Sequence, residues 1–201
     1  MLPRSPTLRS SLLRLHRTVI DIADIAASVS REPELSELEQ AVIVLEDRRF
    51  FAHAGFDLRS IAREIVRAAT FRRFGGASTI DIQLFRTMSN RYERTLRRKI
   101  REAIGAWVMQ RKLSKIAILR SYMEVAYFGT GLKGAEAASY AVFEKSCTEL
   151  DRDEALEVAA MLVYPKPRLA NADWRAKIRR RARYGGSILG SGKKRLNQIG
   201  G

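Results

Sequence analysis

Apolar residues recur at helical spacing along most of this chain, and this pattern constrains the fold more than any other feature. Ser36 and Glu39 form a pair typical of a helix-starting capping box, and the apolar face that follows contains Leu38, Ala41, Val42 and Leu45. A longer apolar face comes later, with the members Leu96, Ile100, Ala103, Ile104, Trp107 and Val108. No segment alternates apolar and polar residues convincingly, and no internal repeat is visible. The sequence therefore predicts a mainly α-helical fold.

Start and stop signals divide this pattern into three segments. Residues 1–34 are expected to form an amphipathic segment, residues 35–184 a folded domain, and residues 185–201 a basic flexible tail rich in Gly, Ser and Lys. Within the domain, Ser114 caps a helix that is predicted to run from Lys115 to Phe128. Asp151 and Glu154 start another helix, which is apolar enough to lie in the core.

Positive charge is the most unusual property of the composition. The chain contains 37 Lys and Arg against 22 Asp and Glu, which gives a formal net charge of +15 and a pI near 10.6. Such an excess indicates an anionic partner, which is nucleic acid, a negatively charged membrane or a phosphorylated substrate. The single cysteine, Cys147, excludes an internal disulfide and a multi-cysteine metal site.

Two segments suit contact with a membrane surface, although no apolar run reaches the roughly twenty residues that a spanning helix needs. The N-terminal segment also lacks the uninterrupted apolar core of a secretory signal. It interleaves apolar residues with Arg9, Arg14 and Arg17, which fits either a helix on anionic lipid or a helix that covers the core. The segment from Thr70 to Phe74 mixes cations with aromatics and fits either lipid headgroups or a short basic loop.

The stretch from Val44 to Asp57 concentrates groups that are suited to acid–base chemistry. Glu46 follows an apolar run and is predicted to lie half buried on the flank of its helix. Desolvation raises the pKa of a carboxyl group and neighbouring cations lower it, and this balance tunes a general acid or base. The alternative is a glutamate that is paired with Arg48 or Arg49 on a solvated helix end.

Two further stretches suit an anion. Glycines precede Ser78 and Thr79 at a predicted helix start, where backbone N–H groups and hydroxyls bind anions, although the same residues also make a simple helix cap. Glu102 is surrounded in sequence by four cations, Arg97, Arg98, Lys99 and Arg101. This number exceeds what one ion pair needs, so the segment is interpreted as a phosphate site or as a solvated basic face.

Four stretches together resemble the peptidoglycan glycosyltransferases, both the monofunctional enzymes and the equivalent domain of class A penicillin-binding proteins. They read EDRRFFAHAGFD from Glu46, GASTIDIQL from Gly76, RKIREA from Arg98 followed by KLSK from Lys112, and ILRSYMEVAYFG from Ile118 continuing to Lys145. They occur in the family's order and spacing over about residues 35–183. The resemblance implies a lysozyme-like helical fold with a small membrane-proximal lobe, and it implies that residues 35–184 are the glycosyltransferase domain.

The resemblance also implies an activity, which is polymerisation of lipid II into glycan strands with release of undecaprenyl diphosphate and inversion at the MurNAc anomeric carbon. By position, Glu46 would be the general base for the acceptor GlcNAc 4-hydroxyl. Glu102 would act near the leaving diphosphate, either as a ligand of a divalent cation, Mg²⁺ or Mn²⁺, or with nearby Arg and Lys. The implied substrate-binding residues are Arg48, Arg49, His53, Ser78, Thr79, Gln83, Arg86, Arg98 and Lys99.

The partners implied by this resemblance are lipid II, the nascent glycan strand, an anionic membrane surface and other cell-wall synthesis proteins, with no nucleic acid. The implied location is peripheral, on the outer, periplasmic face of the cytoplasmic membrane if the chain is exported.

Three positions depart from the family pattern. Ile82 replaces the first of two glutamines, Glu124 a usual Asn, and Gln110 an acidic residue of many members. A homologue that binds lipid II or glycan without turnover is therefore an alternative. A second alternative is a lysozyme-like hydrolase. A third, which rests on the net positive charge alone, is a nucleic-acid-binding protein.

Overall fold

The computed structural model describes residues 7–57, 78–93 and 95–199 and is mostly helical, which confirms the predicted fold class. Its elements are α1 (Leu8–Ser28), α2 (Glu37–Glu46), a 3-10 turn (Phe50–Ala52), α3 (Ile80–Ser89), α4 (Leu96–Gln110), α5 (Lys115–Val125), β1 (Tyr127–Gly129), β2 (Leu132–Lys133), α6 (Ala135–Phe143), α7 (Arg152–Ala160) and α8 (Ala172–Ile199). The spacing of Leu58, Ile61, Ile65 and Ala69 predicts a helix after Asp57, and this segment lies outside the described residues, as does Thr70 to Phe74.

The chain divides into two compact units. Unit 1 comprises residues 1–31 and 51–122, and unit 2 comprises residues 32–50 and 123–201. In unit 1, α1, α3 and α4 pack on one another around a core that includes Val19, Ile22, Leu84 and Phe85. In unit 2, α7 packs against both α2 and α8.

Local capping explains why several helices begin where the sequence predicts. The Ser36 hydroxyl accepts a hydrogen bond from the Glu39 backbone N–H at 3.2 Å, and the Glu39 carboxylate accepts one from the Ser36 N–H at 2.8 Å. Asp151 and Glu154 form the same reciprocal pair at the start of α7. Each box satisfies backbone donors that the helix itself leaves unpaired, so the helix start is fixed by residues within one turn.

The helix predicted from Lys115 to Phe128 is wrong at its C-terminal end. Helix α5 ends at Val125, and β1 and β2 follow as a short antiparallel pair. Gly129 also forms a parallel bridge with Lys166, and a Cβ atom at Gly129 would lie 2.5 Å from the Lys166 carbonyl oxygen. Strands of two or three residues are too short to show an alternation of apolar and polar residues. The sequence therefore predicted that the helix continues through β1.

Helix α1 begins the described part of the chain and helix α8 ends it. In the C-terminal half of α1, Val19, Ile22 and Ala26 are buried, which favours the alternative that this helix covers the core. In the N-terminal half, Leu12 and Leu13 are exposed. Helix α8 continues from Ala172 to Ile199 and so includes most of the segment that was predicted as a tail. Within the described residues, no helix combines the length and apolarity needed to cross a bilayer.

Candidate active site

Glu46 is the last residue of α2 in unit 2. After it, the Asp47 N–H donates the final helical hydrogen bond to the Ile43 carbonyl oxygen at 2.9 Å. Leu38, Ala41, Val42 and Leu45 are buried along the apolar face of this helix. Glu46 lies on the flank of that face, and its side chain is 11% exposed. The predicted partial burial of Glu46 is therefore confirmed.

Arg181 of α8 forms an ion pair with Glu46. Its Nη2 atom donates a hydrogen bond to the Leu45 carbonyl oxygen at 2.6 Å and lies 3.9 Å from Glu46 Oε1. The Leu45 hydrogen bond fixes the guanidinium beside the carboxylate without a direct hydrogen bond to Oε1. Sequence reasoning gave Arg181 no role, because 136 residues separate it from Leu45 and no local pattern connects them.

The first-motif residues Arg48, Arg49 and His53 have different surroundings. Arg48 is exposed, donates a hydrogen bond to the Tyr184 hydroxyl and stacks over the Tyr184 ring at 5.4 Å. Arg49 and His53 are half buried, with His53 in unit 1. Their substrate-binding roles stay predictions.

Glu102 lies in α4 of unit 1, where two arginines hold its carboxylate. Arg86 of α3 donates from Nε to Oε1 at 3.2 Å and from Nη2 to Oε2 at 3.1 Å. Arg98, one turn earlier on α4, places Nε 3.4 Å from Oε1. The Arg86 Nη2 atom also donates to the Ser78 hydroxyl at 3.2 Å. The structure therefore brings together four predicted site residues, and this group of Ser78, Arg86, Arg98 and Glu102 is called the Glu102 cluster below.

The Glu102 cluster carries an excess of positive charge. Two guanidiniums minus one carboxylate leave one positive charge, and the Glu102 side chain is only 1% exposed whereas Arg86 is 26% exposed. The buried acid therefore orders two cations, one of which reaches the surface. Lys99, the next residue after Arg98, is exposed and adds further positive charge nearby.

A divalent cation does not fit Glu102 in this arrangement. Both carboxylate oxygens already accept hydrogen bonds from Arg86, and Mg²⁺ requires several oxygen ligands in near-octahedral geometry. The immediate neighbours of the carboxylate are guanidiniums, which repel a cation. The divalent cation stays a prediction, and no chemical step is assigned to it here.

The remaining second-motif residues have mainly internal partners. Thr79 caps α3 by accepting from the Ile82 N–H at 3.3 Å, and its hydroxyl donates to the Gly55 carbonyl oxygen at 2.7 Å. Gln83 Oε1 accepts a hydrogen bond from the Tyr122 hydroxyl at 2.9 Å. The contacts of Thr79 explain the helix start, and the substrate roles of both residues stay predictions.

Asp81 forms a buried ion pair that sequence reasoning missed. Lys115 Nζ lies 3.1 Å from Asp81 Oδ2 and 3.3 Å from Oδ1, and the Gln110 amide donates to Oδ1. The Asp81 side chain is fully buried. A carboxylate at position 110 would place two negative charges together, so the amide of Gln110 suits this neighbour. The departure of Gln110 from the family pattern thus has a local physical reason.

Residues 14–185 match the family described as Transglycosylase. A biosynthetic peptidoglycan transglycosylase of Acinetobacter baylyi is 39% identical over 135 residues, covering 66% of this chain and 60% of the relative. The protein of the same name from Shewanella oneidensis is 36% identical over 167 residues, covering 82% of this chain and 67% of the relative.

A penicillin-binding protein is also similar to this chain. Penicillin-binding protein 1A of Aquifex aeolicus is 35% identical over 160 residues, which are 79% of this chain and 22% of the relative. The aligned part covers 60% and 57% of the length of two of the biosynthetic transglycosylases. Since the match extends over most of the chain, and since the four stretches fall inside it, the chain belongs to the transglycosylase family.

Proposed function

We propose that this chain is a peptidoglycan glycosyltransferase that polymerises lipid II into glycan strands. Family membership supports glycan polymerisation in general, and the observation that supports lipid II as the donor is the Glu102 cluster. The leaving group of lipid II is a diphosphate. The two guanidiniums that the buried Glu102 carboxylate orders provide positive charge for such a leaving group.

Glu46 is proposed as the general base. In the reaction, the acceptor GlcNAc 4-hydroxyl oxygen forms a bond to the MurNAc anomeric carbon of the donor, and its proton passes to the Glu46 carboxylate. The bond from that carbon to the diphosphate oxygen breaks, and the electron pair leaves with undecaprenyl diphosphate. One displacement of this kind inverts the anomeric carbon, as a carboxylate base does in inverting glycosidases. The partial burial of Glu46 supports this role because it limits competing water.

The Glu102 cluster is proposed to receive the diphosphate. Arg86 and Arg98 stabilise the charge that develops on the leaving oxygen, with Ser78 and Lys99 beside them. Glu102 holds Arg86 in a bidentate geometry and is therefore a positioning residue in this proposal. The arginines are ordered before the substrate arrives, so little reorganisation is needed during the reaction.

The proposed setting is an anionic membrane surface, on the periplasmic face if the chain is exported. A formal net charge of +15 supports this setting, since juxtamembrane cations are attracted to anionic lipid. Lipid II and the growing strand are the proposed partners, and cell-wall synthesis proteins are further candidates.

The test is incubation of the purified chain with labelled lipid II, followed by separation of the products by strand length. We expect long strands. Saturable lipid II binding without strands would overturn the proposal in favour of a binding homologue, and shortening of preformed strands would favour a hydrolase.

The same assay with Mg²⁺, Mn²⁺ or EDTA tests the divalent cation. A cation effect that persists in Glu102→Gln would show that the cation acts at a site other than Glu102.

A further inference from the structure

Unit 1 contains a second cationic site, formed by a cavity of about 180 Å³ among α1, α3 and α4. Its polar lining includes Arg14 of α1, Arg91 of the α3–α4 connection and Arg101 of α4. Its apolar lining includes Leu15, Phe85 and Met88. One water takes roughly 30 Å³ in the liquid, so the cavity has room for a small headgroup.

Among the described residues, the arginines of this cavity have few acidic partners. Glu93 is the acidic partner of two of them, with Arg91 Nη1 4.0 Å from Oε1 and Arg101 Nη2 4.0 Å from Oε2, and its side chain is 54% exposed. Arg14 donates to the Ser10 hydroxyl, which is neutral. Three guanidiniums and one carboxylate leave two positive charges. Like charges gathered in a partly desolvated pocket are costly unless an anion joins them.

Arg101 shows this deficit most clearly. Its Nε and Nη2 atoms are buried and donate no hydrogen bond to any described residue. Burial, followed by the charge of Arg91, lowers the pKa of Arg101 below its ordinary value. Buried donors normally have partners, so these N–H groups indicate a ligand that accepts hydrogen bonds.

The residues that line the cavity are not those of the Glu102 cluster. On α3, Arg86 faces Glu102, whereas Phe85, Met88 and Ser89 line the cavity. On α4, Arg101 lines the cavity while Arg98 contacts Glu102. A ligand here would therefore meet a set of arginines other than those proposed for the diphosphate of the substrate.

We propose that this cavity binds the phosphate headgroup of an anionic phospholipid. A phosphate supplies the oxygens that three guanidiniums require. The apolar lining of Leu15, Phe85 and Met88 points to a phosphate that carries acyl chains. The site would anchor the N-terminal half of α1 at a membrane surface, whether or not the chain polymerises lipid II.

The test uses dihexanoyl phosphatidylglycerol below its critical micelle concentration, with titration calorimetry on the full chain. We expect one site, and we expect Arg14→Gln and Arg91→Gln each to weaken binding by about tenfold, the usual loss for a hydrogen bond to a charged group. The matched control is Arg17→Gln, which removes the same charge from an exposed position on α1 outside the cavity. We expect Arg17→Gln to bind as the unchanged chain does.

Two further arms separate the sources of the phosphate. Inorganic phosphate should bind more weakly than dihexanoyl phosphatidylglycerol. Dihexanoyl phosphatidylcholine should also bind more weakly, because the three arginines would repel its trimethylammonium group. Equal binding of inorganic phosphate would overturn the lipid assignment. Equal weakening by Arg17→Gln, or no binding of any probe, would overturn the site itself. Circular dichroism of each variant confirms that a loss of binding is not a loss of folding.

Discussion

Two glutamates in the two units differ sharply in how their carboxylates are held. Glu102 is buried, and Arg86 donates to both of its oxygens at 3.1 and 3.2 Å. Glu46 ends a helix, with a side chain that is 11% exposed, and the guanidinium of Arg181 stands 3.9 Å away. One acid is fixed in a bidentate pair, whereas the other has a nearby cation that is itself anchored to a backbone carbonyl.

This difference separates two roles that a carboxylate can have. Both oxygens of Glu102 accept hydrogen bonds from one guanidinium, which fixes the pair in a single geometry. Glu102 therefore suits the positioning of cations. Glu46 suits proton transfer, since its contact with Arg181 is longer than a hydrogen bond.

The largest effect is expected for Glu46→Gln. The amide cannot take the acceptor proton, so strand formation should fall by about 10²- to 10⁴-fold, the usual contribution of a general base. The measurement is the rate of strand formation from labelled lipid II, with circular dichroism to check folding. The matched control is Glu37→Gln on the same helix, whose pair with Arg152 lies at the surface. Near-normal rates for Glu46→Gln would remove it as the base.

Glu102→Gln should lower both activity and stability. The change leaves two guanidiniums facing a neutral amide, so we expect the free energy of unfolding to fall by about 3 kcal/mol. Urea denaturation measures the stability, and the strand assay measures activity per folded molecule, which we expect to fall by about 10- to 100-fold.

A double-mutant cycle with Arg86→Gln tests whether Arg86 and Glu102 act as one unit. The coupling energy calculated from the strand-formation rates of the single and double variants should exceed about 1 kcal/mol. Additive losses of activity would contradict the positioning role of Glu102.

Arg86→Lys should have a smaller effect. Lysine keeps the charge but loses the fork that holds both oxygens of Glu102, so we expect kcat/KM to fall by about tenfold with the overall fold unchanged. The comparison variant is Arg97→Lys at an exposed position of the same basic segment, which should remain within about twofold of the unchanged chain. Equal losses in both variants would mean that general charge, not the bidentate geometry, is responsible.

The smallest effect concerns the thiol of Cys147 in unit 2. Burial, and then the hydrogen bond with Glu136, raises the pKa of the Cys147 thiol from 9.0 to about 12. Because the folded state holds the proton more tightly, this contribution to stability is complete below pH 9 and is lost as the pH rises toward 12. We expect alkylation by iodoacetamide at pH 8 to be slow in the folded chain and faster in urea. Equal rates would contradict the raised pKa.

The sequence by itself determined the local structure. Ser36 with Glu39, and Asp151 with Glu154, fix two helix starts through hydrogen bonds within one turn, so residues three apart were enough to predict them. The partial burial of Glu46 followed from its position beside the apolar face of α2. The association of Arg98 with Glu102 is also local, since they are one turn apart on one helix.

Only the tertiary structure decided which distant residues complete these local groups. Arg181 reaches Glu46 from α8, Arg86 reaches Glu102 from α3, and Lys115 reaches Asp81 from α5. The cavity at Arg14, Arg91 and Arg101 likewise forms only where α1 packs beside α3 and α4. Periodicity and capping act within a few residues of the chain, whereas these contacts depend on how helices pack, which no local pattern encodes.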